Sequence, residues 1–407
     1  MSMQKGSAHI IFAGVSAGFV STIYFLLLMT GLPFIAIAAI IGVAALFAGW
    51  AIIKYNKEEE STEPLSRFKH LILGIGIVYF VMKVYPFGER YGGWDAWSIW
   101  NYHARFLAHP ENWQKLTWYR ICHPDYPMLV PGFAGFFARL ISVDALELFS
   151  FVFSFNVSLF IPVLIFFEIA PRSVILGSAA YFLLLGNNSF LTEGVSQYAD
   201  TALAFFFLCG LVAIKYATMH AKYVLLAACS LGCCLWTKNE GMVLVFLFVL
   251  FNFRELMFDG RWRYLLLGVS IPLLTLVLYK MAYAPPNGMI AEQSANTLAQ
   301  LTDGNRYTMI WYSFVKNIND HFGFIKLFGV VFLTALLLGR GRADKRFLLV
   351  LVCFAAYFMI YVITVEDLKW HLFTSQNRLM HQLMPALLYV ICDNLLRTPE
   401  RETVYAS

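Results

Sequence analysis

Charged residues are scarce in this sequence. Asp, Glu, Lys and Arg make up 14% of its 407 positions, while 59% are hydrophobic. A soluble domain carries about 25% charge. A water-facing globule needs polar cover, and too little is present to surround this much apolar side chain. The composition excludes a soluble enzyme, a disordered tail and a nucleic-acid binder, and makes the bilayer the expected solvent. The net charge of +5 is small, so where the charges fall matters more than their sum.

Other absences narrow the field further. The seven cysteines are odd in number and six of them sit in apolar runs, which is no disulfide framework. Cys233 and Cys234 are adjacent rather than spaced as CxxC, and read as small core residues. No P-loop, GxGxxG, HExxH or GxSxG stands in its required context. No period of 20–50 residues points to a solenoid. A single basic residue, Lys5, precedes the first apolar run, and no small-residue cleavage site stands out, so that run reads as a retained anchor.

What is present is a succession of apolar runs, over 8–29, 33–53, 70–86, 146–168, 173–188, 197–214, 222–237, 241–253, 264–284, 322–339, 347–364 and 379–396. They predict an all-α polytopic membrane protein of about twelve transmembrane helices. Residues 1–60 hold two N-terminal crossings, 61–396 the main transmembrane module, and 397–407 a polar tail. Lys54, Lys57, Arg67, Lys69, Arg172, Lys215, Lys222, Arg254, Arg261, Arg263, Arg340, Arg342, Lys345, Arg346, Arg397 and Arg401 fall in one alternating set of loops. The positive-inside bias then places both termini in the cytoplasm. Longer polar segments at 87–145, 285–321 and 365–378 face the other side. The run 126–142 carries Pro127, Pro131 and Arg139 and is placed as an interfacial helix rather than a crossing. The charge run KEEE at 57–60 reads as a solvated loop.

The polar residues that could carry chemistry gather on the outer side. Trp94, Trp97 and Trp100 recur every three residues and are expected to share a helix face. Asp95 interrupts that aromatic patch; it reads either as a base beside the membrane or as a helix N-cap after Gly92 and Gly93. His103, His109, Cys122, His123 and Asp125 share one loop, but their spacing fits no zinc pattern. Asp125 and Asp200 each stand before an apolar run, as a helix cap or as a substrate contact. Lys238 and Arg378 are cations on the side where cations are disfavoured. Each needs a partner, either an internal carboxylate such as Glu240 or Asp200, or a phosphate. Glu193 lies in the turn before Asp200.

At these residues the chain resembles a known family. GWDAWSIWNYHARFL, HPDYPMLVPGFAG, EGVSQYAD with TALAFF, WTKNEG and NRLMHQLMP occur in the order found in bacterial GT-C glycosyltransferases. The likeness is to the dolichyl-phosphate-mannose protein mannosyltransferases and the Rgt-type sugar transferases, and spans roughly residues 70–396. It implies a GT-C-like helical bundle with periplasmic juxtamembrane helices and a polyprenyl-phosphate sugar as donor. Asp95 corresponds to the family's catalytic base in an inverting displacement, and Asp200 to a second acidic position. Thr237, Lys238 and Gly241 correspond to a turn whose lysine lies near the lipid phosphate, and Arg378 to a late arginine. Many relatives carry a second acid beside the first, where this chain has Ala96, so a metal is not called for. Two N-terminal crossings precede the usual first helix. No counterpart of the soluble C-terminal domain of some relatives is expected, which leaves acceptor recognition to the outer loops, chiefly 285–321.

The expected function is transfer of a sugar from a polyprenyl-phosphate donor to a lipid, glycan or protein acceptor. It takes place at the periplasmic face of a bacterial inner membrane, among membrane lipids and with no nucleic acid. Asp95 is the expected base. Lys238 and Arg378 bind the donor phosphate, and His103, Asp125, Glu193, Asp200 and Glu240 contact substrate. No cofactor or metal is expected. The alternative is a polytopic transporter or lipid flippase, which would carry its charges near mid-bilayer. A non-catalytic envelope partner predicts no site uniting the motifs. A ligase-like transferase would depend on the 285–321 loop, where Arg306 is its one cation of note.

Overall fold

A backbone inside hydrocarbon must satisfy its own hydrogen bonds, and a single apolar run does so only as a helix. The computed structural model describes residues 3–58, 66–87, 91–118, 121–286, 296–338 and 343–397. Among the described residues every regular element is helical. The end of the KEEE run, the middle of the 285–321 loop, Arg340, Arg342 and the tail beyond 397 lie outside them.

In chain order the helices are α1 (Lys5–Met29), α2 (Phe34–Glu58), α3 (Arg67–Val84), α4 (Asn101–Leu107), α5 (Leu129–Leu140), α6 (Leu146–Ile169), α7 (Val174–Leu185), α8 (Asn188–Val195) and α9 (Ala199–Ile214). They continue with α10 (Ala221–Thr237), α11 (Asn239–Phe251), α12 (Phe253–Met257), α13 (Trp262–Ala282), α14 (Asn296–Thr302), α15 (Gly304–His321), α16 (Gly323–Leu337), α17 (Lys345–Val362) and α18 (Leu368–Leu395). Each apolar run read from the sequence carries a helix. Four spans are long and apolar enough to cross a membrane: α1, Val143–Ile169, α13 and α17. Three bent pairs, α7 with α8 at 62°, α11 with Phe253–Gly260 at 85° and α15 with α16 at 101°, raise that to seven. The protein is thus a membrane-embedded helical bundle.

The bundle is apolar both inside and outside, as lipid allows. α9 is buried on every residue and packs between α6, α10 and α18, whereas α2 and α16 expose Leu46, Phe47 and Leu337. An apolar outer face of this extent is stable only against lipid or a partner. α5 is 12 residues long, about 18 Å, too short to cross. Most of it is buried against α1, α4 and α6, and Ser21 of α1 donates to the Met128 carbonyl at its start.

Two polar clusters mark opposite ends of α9. At its C-terminal end Lys215 lies 2.8 Å from Asp393 of α18, and Arg172 and Arg346 also bind Asp393. Arg397 reaches Asp344 at 3.1 Å, and Lys215 reaches Glu168 at 3.6 Å. These four basic residues come from loops that the sequence pattern assigns to one side, and they converge. At the other end of α9, Gln382 of α18 donates to Asp200 at 2.5 Å. α9 and α18 therefore run side by side in the same direction, tied at both ends about 20 Å apart.

Candidate active site

The second cluster is assembled from segments far apart in the chain. Gly92 and Gly93 allow the first segment to approach. Gly92 has φ +70°, and a Cβ there would meet the Ser196 carbonyl oxygen at 2.5 Å. The Gly93 amide donates to that same carbonyl at 3.0 Å. Asn101 reinforces the approach, donating to Gln197 at 2.7 Å. Asp95 is thereby fixed beside Tyr198, whose hydroxyl accepts from the Asp95 amide at 3.3 Å. Its carboxylate makes no capping bond; it binds Arg378 of α18. The N-cap reading of Asp95 gives way to this pair because its partner lies elsewhere in the chain. The Arg378 guanidinium also sits 5.4 Å from the centre of the Tyr198 ring.

The tryptophans do not share a face. Ala96–Trp100 forms a π-helical turn, in which the Asn101 amide bonds to the Ala96 carbonyl five residues back. The wider turn rotates Trp100 inward. Trp94 and Trp97 stay exposed in edge contact at 4.5 Å, while Trp100 is buried and stacks on Tyr126 at 5.6 Å.

The second segment, 121–126, is pinned by His103. Its ring is fully buried, and Nε2 donates to the Cys122 carbonyl at 3.0 Å. Burial pulls its pKa down to about 4, so the ring is neutral near pH 7 and holds the loop in place. His123 stacks on Tyr126 at 4.5 Å. Asp125 does not cap α5. It accepts from Asn239 at 2.7 Å and lies 3.6 Å from the Lys280 ammonium. Lys280 also donates to Asn239 Oδ1 at 2.9 Å and to the Asp125 carbonyl.

The third and fourth segments meet on Lys238. The chain is extended at Lys238, with φ −152° and ψ 162°, which separates α10 from α11. Gly241 allows α11 to turn back against α10, for a Cβ there would lie 2.0 Å from the Cys234 carbonyl oxygen. The Lys238 ammonium is 3.0 Å from Asp200 and 3.1 Å from Glu240, and lies 5.9 Å from the centre of the Tyr126 ring. Burial disfavours its charge, but the two carboxylates outweigh this and raise its pKa. Asp200 stands in the first turn of α9, yet its side chain takes Lys238 and Gln382 rather than the helix amides.

The fifth segment, on α18, closes the site. Asn377 donates to Glu193 at 2.9 Å and accepts from Ser189 at 3.2 Å. Thr201 donates to the Glu193 carbonyl at 3.2 Å and bonds to His381 Nε2 at 3.0 Å. Asp95, Asp125, Glu193, Asp200, Lys238, Glu240 and Arg378 thus share one polar cluster, with His103 behind it. Tyr126, Tyr198, Asn239, Lys280, Asn377 and Gln382 belong to it too and escaped the sequence reading. Lys280 carried the signal that marked Lys238, a cation at the outer end of an apolar run. Arg306 lies apart, donating to the Tyr361 and Val362 carbonyls at the end of α17.

No group of three or more His, Cys, Asp and Glu among the described residues is arranged to hold a metal ion. An apolar groove of about 720 Å³ between α1, α2 and α10 is lined by residues away from these side chains. The chain matches no family model, no curated protein and no solved structure.

Proposed function

We propose that the protein is an inverting membrane glycosyltransferase that moves a sugar from a polyprenyl-phosphate donor to a hydroxyl of an envelope acceptor. The bundle crosses about twelve times, with both termini in the cytoplasm of a bacterial cell and the Asp95 cluster at the periplasmic face of the inner membrane. Asp95 is the base. The acceptor oxygen attacks the anomeric carbon, and the bond from that carbon to the phosphate oxygen breaks. The electron pair leaves with the polyprenyl phosphate, and the acceptor proton passes to Asp95. Lys238 and Arg378 meet the charge that grows on the leaving phosphate. Glu193, Asp200, Glu240 and Asp125 orient the sugar and the acceptor. Arg378 rests on Asp95, so an arriving phosphodiester competes for the guanidinium and releases the carboxylate as it binds.

One observation carries this reading: five stretches separated by up to 283 residues bring a carboxylate and two cations together. The three bent helix pairs speak for the alternative, a transporter or lipid flippase. Apart from Arg378, which lies inside α18, the charged groups of the cluster nevertheless sit at helix ends and junctions. The test is Asp95→Asn in purified full-length protein supplied with donor and acceptor. Loss of a positioned base is expected to slow transfer by about 10²–10⁴-fold, while donor binding is kept or tightened because Asn no longer competes as an anion for Arg378. Transfer at the parental rate removes Asp95 from the role, and donor translocation without consumption selects the transporter.

A further inference from the structure

α1 and α2 pack closely near the turn that joins them. Tyr24 meets Phe34 edge-on at 6.3 Å, and Ile37 and Ile41 are buried. From Ile41 onward an apolar groove of about 720 Å³ opens between α2 and the pair α1 and α10. Ala44 and Ala45 line it and are exposed, and a Cβ at Gly49 would meet nothing within 4 Å among the described residues. The opposite wall is fixed. A Cβ at Gly14 of α1 would collide with the Phe205 ring of α9, and one at Gly18 would lie 2.5 Å from Cys233 Sγ of α10.

The two ends of the groove differ. Along α1 its deep end is Ile23. The next residues, Tyr24 and Phe25, are buried, and Phe25 packs on Trp236 at 5.0 Å, Tyr279 at 5.3 Å and Trp113 at 5.4 Å. This aromatic layer separates the groove from the Lys238 cluster, so a lipid whose head sits at that cluster does not run its tail here. The other end carries His9 and Lys222, with Lys5 one helical turn before His9 on the same face. Gly6, next to Lys5, packs against Phe167, the neighbour of Glu168. The charged mouth therefore belongs to the cation-rich end of the bundle.

An apolar cavity stays dry and takes an apolar guest; beside lipid that guest is a hydrocarbon chain. From His9 to Ile23 α1 rises about 21 Å, against about 15 Å for the hydrocarbon of one leaflet. The groove is long enough to hold an acyl chain along its length, and basic residues at the mouth of a groove between membrane helices favour an anionic headgroup.

We infer that the groove between α1, α2 and α10 binds an anionic phospholipid from the leaflet at the cation-rich end. One acyl chain lies along α1, and the headgroup phosphate meets Lys222, His9 and Lys5. The inference does not depend on the transferase reading.

The test uses the full-length protein, stripped of lipid in detergent and then offered dioleoyl phosphatidylglycerol or dioleoyl phosphatidylcholine, which share their chains and differ in net charge. Native mass spectrometry reads the number and affinity of bound lipids. One phosphatidylglycerol per chain is expected, held about ten- to thirtyfold tighter than phosphatidylcholine at low salt, since two lysines lie near the phosphate. Lys222→Gln is expected to shrink that preference, and Ala45→Trp, which fills the groove, to remove the lipid. Phosphatidylglycerol with a photoreactive acyl chain is expected to label peptides of α1 and α2 in the parent protein, which decides the placement where a variant fails to fold. Equal affinity for the two lipids, labelling confined to other helices, or parental binding by Ala45→Trp overturns the inference. A dimer that carries no lipid also overturns it and assigns the groove to a second copy of the chain.

Discussion

Lys238→Met tests the central contact most sharply, because it keeps an unbranched apolar stem out to Cε and removes the ammonium. The side chains of Lys238 and Asp200 are 6% and 1% exposed and 3.0 Å apart, and Glu240 is 3.1 Å away on the other side. Without the ammonium, two carboxylates face each other with little water to screen them. Breaking a buried pair by removing one partner costs about 3–5 kcal/mol. The second variant, Asp200→Asn, leaves Lys238 bound to Glu240 and is expected to cost less. Lys238→Met with Asp200→Asn removes the repulsion and should recover a large part of the loss, so the cycle should show a coupling above about 1 kcal/mol. Acid has a definite sign here. The bare carboxylates of Lys238→Met take up protons more readily than in the parent, so its deficit should shrink as pH falls. The readout is the free energy of unfolding in mild detergent, measured for the four proteins at several pH values. Additive effects, within about 0.5 kcal/mol, would refute the claim that these groups act as one buried unit.

Two further predictions concern how the site is held. Gly241→Ala places a methyl 2.0 Å from a backbone oxygen, which no side-chain rotation relieves. It should destabilise the protein by more than about 2 kcal/mol and displace Lys238, which the same unfolding measurement checks. His103 supplies the pH dependence. Its folded pKa is depressed to about 4, so its contribution is fully present above its unfolded value and is lost as pH falls toward 4, where the unfolded chain takes up the proton first. The loss amounts to about 3 kcal/mol between pH ~6.5 and ~4. His103→Gln should flatten that part of the stability profile, and an unchanged profile would clear His103 of the effect.

The helices were legible because each apolar run is a local signal, and lipid leaves helix as its one local solution. The twelve runs mapped onto helices even where a bend divides them, as at Asn187, whose side chain caps α8 at the Phe190 amide. The tryptophan face was misread because a three-residue spacing implies a common face only in a regular helix, and the π turn at Ala96–Trp100 breaks that premise. Asp95, Asp125 and Asp200 looked like caps for a related reason. A short acid before an apolar run has an obvious local use, while its actual partner is invisible from the sequence. Asp125 meets Asn239 across 114 positions, and Asp200 meets Gln382 across 182. The ion-pair alternative for Lys238 was correct in both of its forms, since a cation against the charge bias announces that a partner exists without naming it.

The arrangement of charge along α9 explains why so few charged residues suffice. α9 has no polar face with which to fix its depth or rotation among its neighbours, and apolar packing alone tolerates a slip along the axis. Lys215 and Asp200 bind α18 at the two ends, through Asp393 and by way of Gln382. A slip of one turn, about 5.4 Å, would break both ties at once and strand charges away from water. The cation-rich end can serve as the fixed reference, because each of its acids is paired with a cation. The acid-rich end carries three carboxylate oxygens that lack donors, on Asp200, Glu193 and Glu240, against one, Glu168 Oε1, at the cation-rich end. In the proposed reaction that division is useful: the rigid end holds register while Arg378 exchanges Asp95 for phosphate at the other. Such an exchange moves one side chain and leaves α18 in place, so donor binding is coupled to release of the base without rearranging the bundle.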